Sequence, residues 1–105
     1  MNKKITKFEQ EVYEACSRIP LGRVSTYKDI AVYIKRPSSA RAVGNALNRN
    51  PYAPKVPCHR VVRSDGSLGG FALGSLKKEL LLSHEGLKIL KGKIRDFKRS
   101  RYSFE

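Results

Sequence analysis

The chain has 105 residues, enough for one domain with a modest core and too few for a second. Lys and Arg total 22 against 9 Asp and Glu, a formal charge of +13 that points to a polyanion, nucleic acid first, through counterion release. No apolar run approaches the roughly 18 residues a membrane span needs, and no lipidation motif or signal peptide is present, so no membrane partner is expected and a cytoplasmic home is.

Cys16 and Cys58 are the only thiols, and with His59 and His84 they match no structural zinc spacing. Neither a disulfide nor a bound metal is expected.

Phe8, Val12, Ala15, Cys16 and Ile19 recur at helical spacing, with Glu9, Glu14 and Ser17 off that face, so Cys16 reads as a core residue. Pro20-Leu21-Gly22 ends this helix. Ser25 or Thr26 can cap the next, where Tyr27, Ile30, Ala31 and Ile34 share a face until Lys35-Arg36-Pro37 breaks the run. Ser38 or Ser39 can cap a third helix. Its inner face is Ala40, Val43, Gly44 and Leu47, and its outer face is Arg41, Asn45 and Asn48, with small Ala42 and Ala46 beside them. Two short helices with such a second face predict a helix-turn-helix, although a merely solvated helix face has the same pattern.

Pro54 and Pro57 stiffen the approach to Cys58-His59 by fixing φ and restricting Ala53 and Val56. A thiol is only a few per cent ionised near neutral pH, so an attacking Cys needs a neighbouring base or cation, and His59 is the candidate base. On an extended segment adjacent side chains point apart, and a buried Cys in a proline-rich turn fits the dipeptide as well. Val61-Val62 reads as a short strand and Ser64-Asp65-Gly66-Ser67 as a turn. Ser75 can cap a helix with Leu76, Leu80 and either Ser83 or Leu87 inward, ended by Gly86 with Glu85 at its last turn. From Lys88 the basic residues Lys91, Lys93, Arg95, Lys98, Arg99 and Arg101 face only Asp96 and Glu105. A final helix or a loose arm are the two expectations there.

Five blocks in order carry a family resemblance. They are Gly22-Arg23-Val24-Ser25-Thr26-Tyr27, Ala40-Arg41-Ala42-Val43-Gly44-Asn45-Ala46, Asn50-Pro51, Pro57-Cys58-His59-Arg60-Val61-Val62 and His84-Glu85-Gly86. Together they resemble the C-terminal domain of the O6-alkylguanine-DNA alkyltransferases, across about residues 8–87 with a basic tail at 88–105. The fold so implied is mainly α, a compact helical domain with a winged-helix-like helix-turn-helix and a short strand or hairpin near the reactive Cys. The family's usual N-terminal domain is not expected within this chain.

The resemblance implies single-use repair of O6-alkylguanine in double-stranded DNA with no cofactor, and a monomer is the default expectation. Cys58 would be the alkyl acceptor, His59 its base acting through a water, Glu85 the support of the imidazole, and Tyr27 the proton donor to the departing purine. Asn50 would brace the turn leading to the reactive loop. Arg41 would enter the base stack while the damaged nucleotide rotates out into the pocket, with Asn45 beside it on the reading helix. Lys28, Arg36 and Ser64 match sites that touch the phosphate backbone. The main-chain carbonyls of Cys58 and Val61 would select guanine's amine, and Lys78 would sit near the pocket mouth. Phe71 stands where many members carry a tyrosine. Two other readings share these residues. One is the short relatives that bind the lesion without repairing it and carry a tryptophan at the acceptor position. The other is a helix-turn-helix regulator in which Cys58 is a core thiol or redox sensor.

Overall fold

In the structure, a computed structural model that describes residues 5–104, Thr6 opens helix α1 (Lys7–Ser17) with a reciprocal cap. Its hydroxyl accepts from the Glu9 amide at 3.0 Å while the Glu9 carboxylate accepts from the Thr6 amide at 3.0 Å. Glu9 was expected on the solvent face, yet it is only 8% exposed, because the cap turns it back and Arg49, at the end of the third helix, pairs with it at 3.1 Å. Val12, Ala15, Cys16 and Ile19 are buried as the periodicity predicts.

Strand β1 (Ser25–Thr26) leads directly into α2 (Tyr27–Tyr33), whose Thr26 cap accepts from the Asp29 amide at 2.9 Å. Residues 34–39 turn the chain into α3 (Ala40–Asn48), completing the helix-turn-helix. Ser39 occupies the cap position of α3, but its hydroxyl donates to the Arg36 carbonyl at 2.6 Å and does not cap the helix. Ala46, expected beside the polar face, is buried, and its carbonyl accepts from the Tyr13 hydroxyl at 2.8 Å. Helices α1 to α3 enclose Val12, Cys16, Ile30, Val43 and Leu47, each large apolar member stabilising the fold by about 1.5–3 kcal/mol.

Cys58–Arg60 forms one turn of 3-10 helix, so Cys58 and His59 do not alternate as they would on an extended segment. Strand β2 (Val61–Val62) follows and pairs in parallel with β1, Ser25 opposite Val61 and Thr26 opposite Val62. Helix α4 (Ser75–His84) corrects an expectation: Leu76 and Leu80 are 70% and 58% exposed, whereas Lys78 and Leu82 are fully buried. Leucines stand on several sides of this helix, and a lysine on the inner side masked the true face from periodicity. Glu85 does end the helix, with Gly86 at φ 96° behind it.

The tail is neither one helix nor a loose arm. A hairpin of β3 (Ile89–Leu90) and β4 (Lys93–Ile94) precedes the single turn α5 (Phe97–Ser100). The chain then returns to the domain through Val24 N to Ser100 O at 2.9 Å and Tyr102 N to Val24 O at 2.7 Å. Ile94 joins Val24, Val62, Leu68, Leu82 and Leu87 in a second apolar cluster, and Phe104 stacks on Tyr33 at 4.5 Å. Glu105, read as part of this tail, lies outside the described residues. No described helix is long and apolar enough to cross a membrane.

Candidate active site and nucleic-acid interface

Cys58 sits on its 3-10 turn at 3% exposure, held from behind by the hydrogen bond its N–H donates to Val56 O at 2.8 Å. Burial pushes its thiol up, and hydrogen bonding from the Asn50 side chain and the Ala72 main chain, with the Lys78 charge, pulls the other way. Asn50 also ties down the loop before the turn, donating to Val56 O and accepting from Tyr52 N, both at 2.9 Å.

His59, 2% exposed, donates from Nε2 to Glu85 at 2.8 Å. Burial lowers its affinity for a proton, against the raising effect of the Glu85 bond and charge, so the ring is neutral at pH 7. Its Nδ1 is buried and has no hydrogen-bond partner among the described residues. A neutral imidazole with one nitrogen tied to a carboxylate and the other unengaged is built to take a proton. Phe71, itself buried, packs edge-on against this ring at 6.0 Å.

The sequence reading missed Arg60. Its guanidinium grips Glu85 with a two-pronged pair, Nε to Oε1 and Nη2 to Oε2, both 2.9 Å, and reaches Ile19 O at 2.7 Å. Burial raises the Glu85 pKa, but the bonds and charges of Arg60 and His59 outweigh it and hold the carboxyl below its usual range. One signal was available: the guanidinium follows the base directly in a chain where acids are scarce.

Lys78 is not at a pocket mouth. It is fully buried, and its ammonium donates to Val61 O at 2.7 Å and Gly70 O at 2.9 Å, lying 3.5 Å from the Tyr27 hydroxyl. Burial pulls Lys78 down to about 8 and pushes the Tyr27 phenol up to about 12, so Tyr27 holds its proton at neutral pH. Of the two carbonyls expected to read guanine, the Val61 oxygen already accepts from Lys78. Gly69 lets the loop close on the phenol: at φ 72° a Cβ there would lie 2.7 Å from the Tyr27 oxygen.

Outside this buried set, a cleft of about 590 Å³ runs between α3 and residues 63–70. Tyr27, Lys28, Arg41, Asn45 and Ser64 all line it, which brings four of the five expected DNA-contacting residues to one surface with the expected proton donor. Arg36 is the exception. It pairs with Glu11 at 3.5 Å and lies 5.8 Å over the Phe8 ring, beside α1. Among the described residues no group of three or more metal-ligating side chains gathers.

Residues 7–87 match the family model described as "6-O-methylguanine DNA methyltransferase, DNA binding domain". The methylated-DNA–protein-cysteine methyltransferase of Methanosarcina barkeri is 52% identical over 80 residues, 76% of this chain and 51% of that protein. Its counterpart from Salmonella typhimurium is 47% identical over 85 residues, 81% of this chain and 50% of the relative. The chain thus spans about half the length of these methyltransferases. The crystal structure of Mycobacterium tuberculosis OGT in complex with DNA superimposes with a TM-score of 0.76 at 43% identity, covering 80% of this chain and 52% of that one. The structure of S. pombe Atl1 in complex with damaged DNA containing O6-carboxymethylguanine gives 0.84 at 32% identity, covering 96% of this chain and 99% of that one. A family match over most of the chain, on a fold shared nearly end to end with a solved relative, places this protein in the 6-O-methylguanine DNA methyltransferase family.

Proposed function

We propose that this chain repairs O6-alkylguanine in double-stranded DNA by transferring the alkyl group once, and irreversibly, to Cys58. The observation that carries the proposal is the set Cys58 and His59, both buried, with Glu85 bonded to the imidazole, an unengaged imidazole nitrogen and a protonated phenol at Tyr27. His59 takes the thiol proton through a water, and Glu85 steadies the imidazolium that results. The sulfur attacks the alkyl carbon in line, the S–C bond forms as the C–O6 bond breaks, and the electron pair leaves with the purine. Tyr27 gives that purine a proton, and the proton held by His59 returns to the phenol. Nothing is consumed but the thiol, because a thioether is a poor leaving group.

Arg41 and Asn45 on α3 face the duplex, with Lys28 and Ser64 on its phosphates, and the damaged nucleotide rotates toward Cys58 at a cost of a few kcal/mol, least for a weakened pair. Arg36 lies outside this cleft, paired with Glu11, and is not assigned a phosphate. A cytoplasmic location is part of this proposal, and the two free thiols are compatible with such a reducing compartment.

The near end-to-end match to Atl1 favours a second reading, a module that binds the lesion without repairing it. Incubation with a duplex containing O6-methylguanine, followed by intact-mass measurement, separates the two. One added methyl on Cys58 supports repair; tight binding with unchanged mass supports the module.

A further inference from the structure

The tail adds residues beyond the family match to a surface it shares with α2 and Ser64. A second cleft, about 730 Å³, is lined by Lys28, Asp29, Ser64, Lys98, Arg101 and Tyr102 among others. Lys28 and Ser64 line both this cleft and the one beneath Arg41, so the two clefts adjoin at these residues. Asp29 is the only acid among the residues lining either cleft, and Arg101 covers it with a two-pronged pair at 2.7 and 2.8 Å. The backbone bonds between Val24, Ser100 and Tyr102, with Arg23 donating to the Ser100 and Arg101 carbonyls at 3.1 and 2.6 Å, fix α5 in place. Lys98 is therefore exposed on an anchored turn, not on a wandering arm.

We infer that the tail is part of the DNA-binding surface: Lys98 extends the line of Lys28 and Ser64 by one phosphate contact, and Arg101 removes the negative charge of Asp29 that would repel the strand. The inference rests on the DNA reading of the first cleft. A phosphate strand suits these adjoining clefts because their lining is cationic once Asp29 is paired, and because seated basic side chains position a duplex without reading its sequence.

The test is binding of the full chain to an undamaged labelled duplex across a range of salt concentrations. Each phosphate contact adds about 0.9 to the slope of log affinity against log salt. Lys98→Gln and Lys28→Gln should each lower the slope by about that amount and weaken binding roughly fivefold to tenfold at 0.1 M salt. Lys7→Gln, on the exposed start of α1 and lining neither cleft, should leave the slope unchanged. Arg101→Gln should weaken binding more than Lys98→Gln, and adding Asp29→Asn should recover part of that loss. A normal slope for Lys98→Gln beside a reduced slope for Lys28→Gln overturns the role of the tail and leaves the DNA reading standing. Wild-type protein with no salt-dependent duplex binding overturns both.

Discussion

Arg60→Ala tests whether Glu85 is held as a charged anchor for the catalytic base. The substitution removes both bonds to the carboxylate and the bond to Ile19 O, from a guanidinium 16% exposed against a carboxylate 10% exposed. Breaking one side of a buried ion pair costs about 3–5 kcal/mol. The remaining exposure, and the His59 bond that Glu85 keeps, place this case at the low end, about 3 kcal/mol. A domain of this size loses about 4–8 °C of melting temperature per kcal/mol, so a fall of more than about 12 °C is expected. Arg60→Lys keeps the charge without the fork and should recover only part of the loss. The pH dependence has a definite sign. Because Glu85 is held below its usual range in the folded state, its contribution is fully present above about pH 4.3 and is lost as pH falls through the folded value. Without Arg60 that acid limb becomes shallower. Urea unfolding at several pH values measures both effects. Stability within about 0.5 kcal/mol of wild type at pH 7, the range of an inert surface change, would refute the reasoning.

Alkyl transfer should hold its full rate above about pH 6.5 and slow in more acid solution, because burial keeps His59 below that ordinary value. His59→Gln should instead give a rate that climbs with alkalinity; a wild-type rate rising steadily from pH 7 to 9, read by quenched time courses, counts against His59 as the base. Lys78 falls from 10.5 to about 8 on folding, so between these values the unfolded chain binds the extra proton and stability gains with pH. Measured against Lys78→Met, wild type should therefore gain up to about 3 kcal/mol across that window, and a constant difference sinks the assignment. Gly69→Ala should slow transfer by displacing the Tyr27 phenol, whereas Gly92→Ala, with a similar φ of 76° and nothing within 4 Å, should not; equal rates for the two remove the contact from the argument. Arg41→Ala should impair repair in duplex DNA far more than transfer from the free alkylated base, and matched losses on both substrates discard its part in nucleotide rotation.

The first three helices were legible because their apolar spacing, their Thr26 cap and their proline stops agree with one another. Helix α4 was not, since its exposed Leu76 and Leu80 imitate a core face while the buried position belongs to Lys78, whose ammonium is satisfied by carbonyls from residues 61 and 70. No local pattern announces that kind of burial. The same limit hid Glu9 and Arg60, whose partners lie about 40 and 25 residues away. It also hid the tail, where one turn of helix is fixed through Val24 and two short strands through residues 66–68 more than by their own propensities. The cluster of Cys58, His59 and Glu85 was readable as a set only through the resemblance. Spacing alone offered a thiol beside an imidazole.

The depth at which Cys58 lies has a consequence for the resting protein. In an unfolded chain that thiol would ionise near pH 8.5 and meet any oxidant or electrophile in solution, whereas the closed fold keeps it protonated and almost untouched by solvent. On the proposed chemistry, which spends the sulfur once, such reserve is an advantage: small reactive metabolites find little thiolate to attack before a nucleobase is presented.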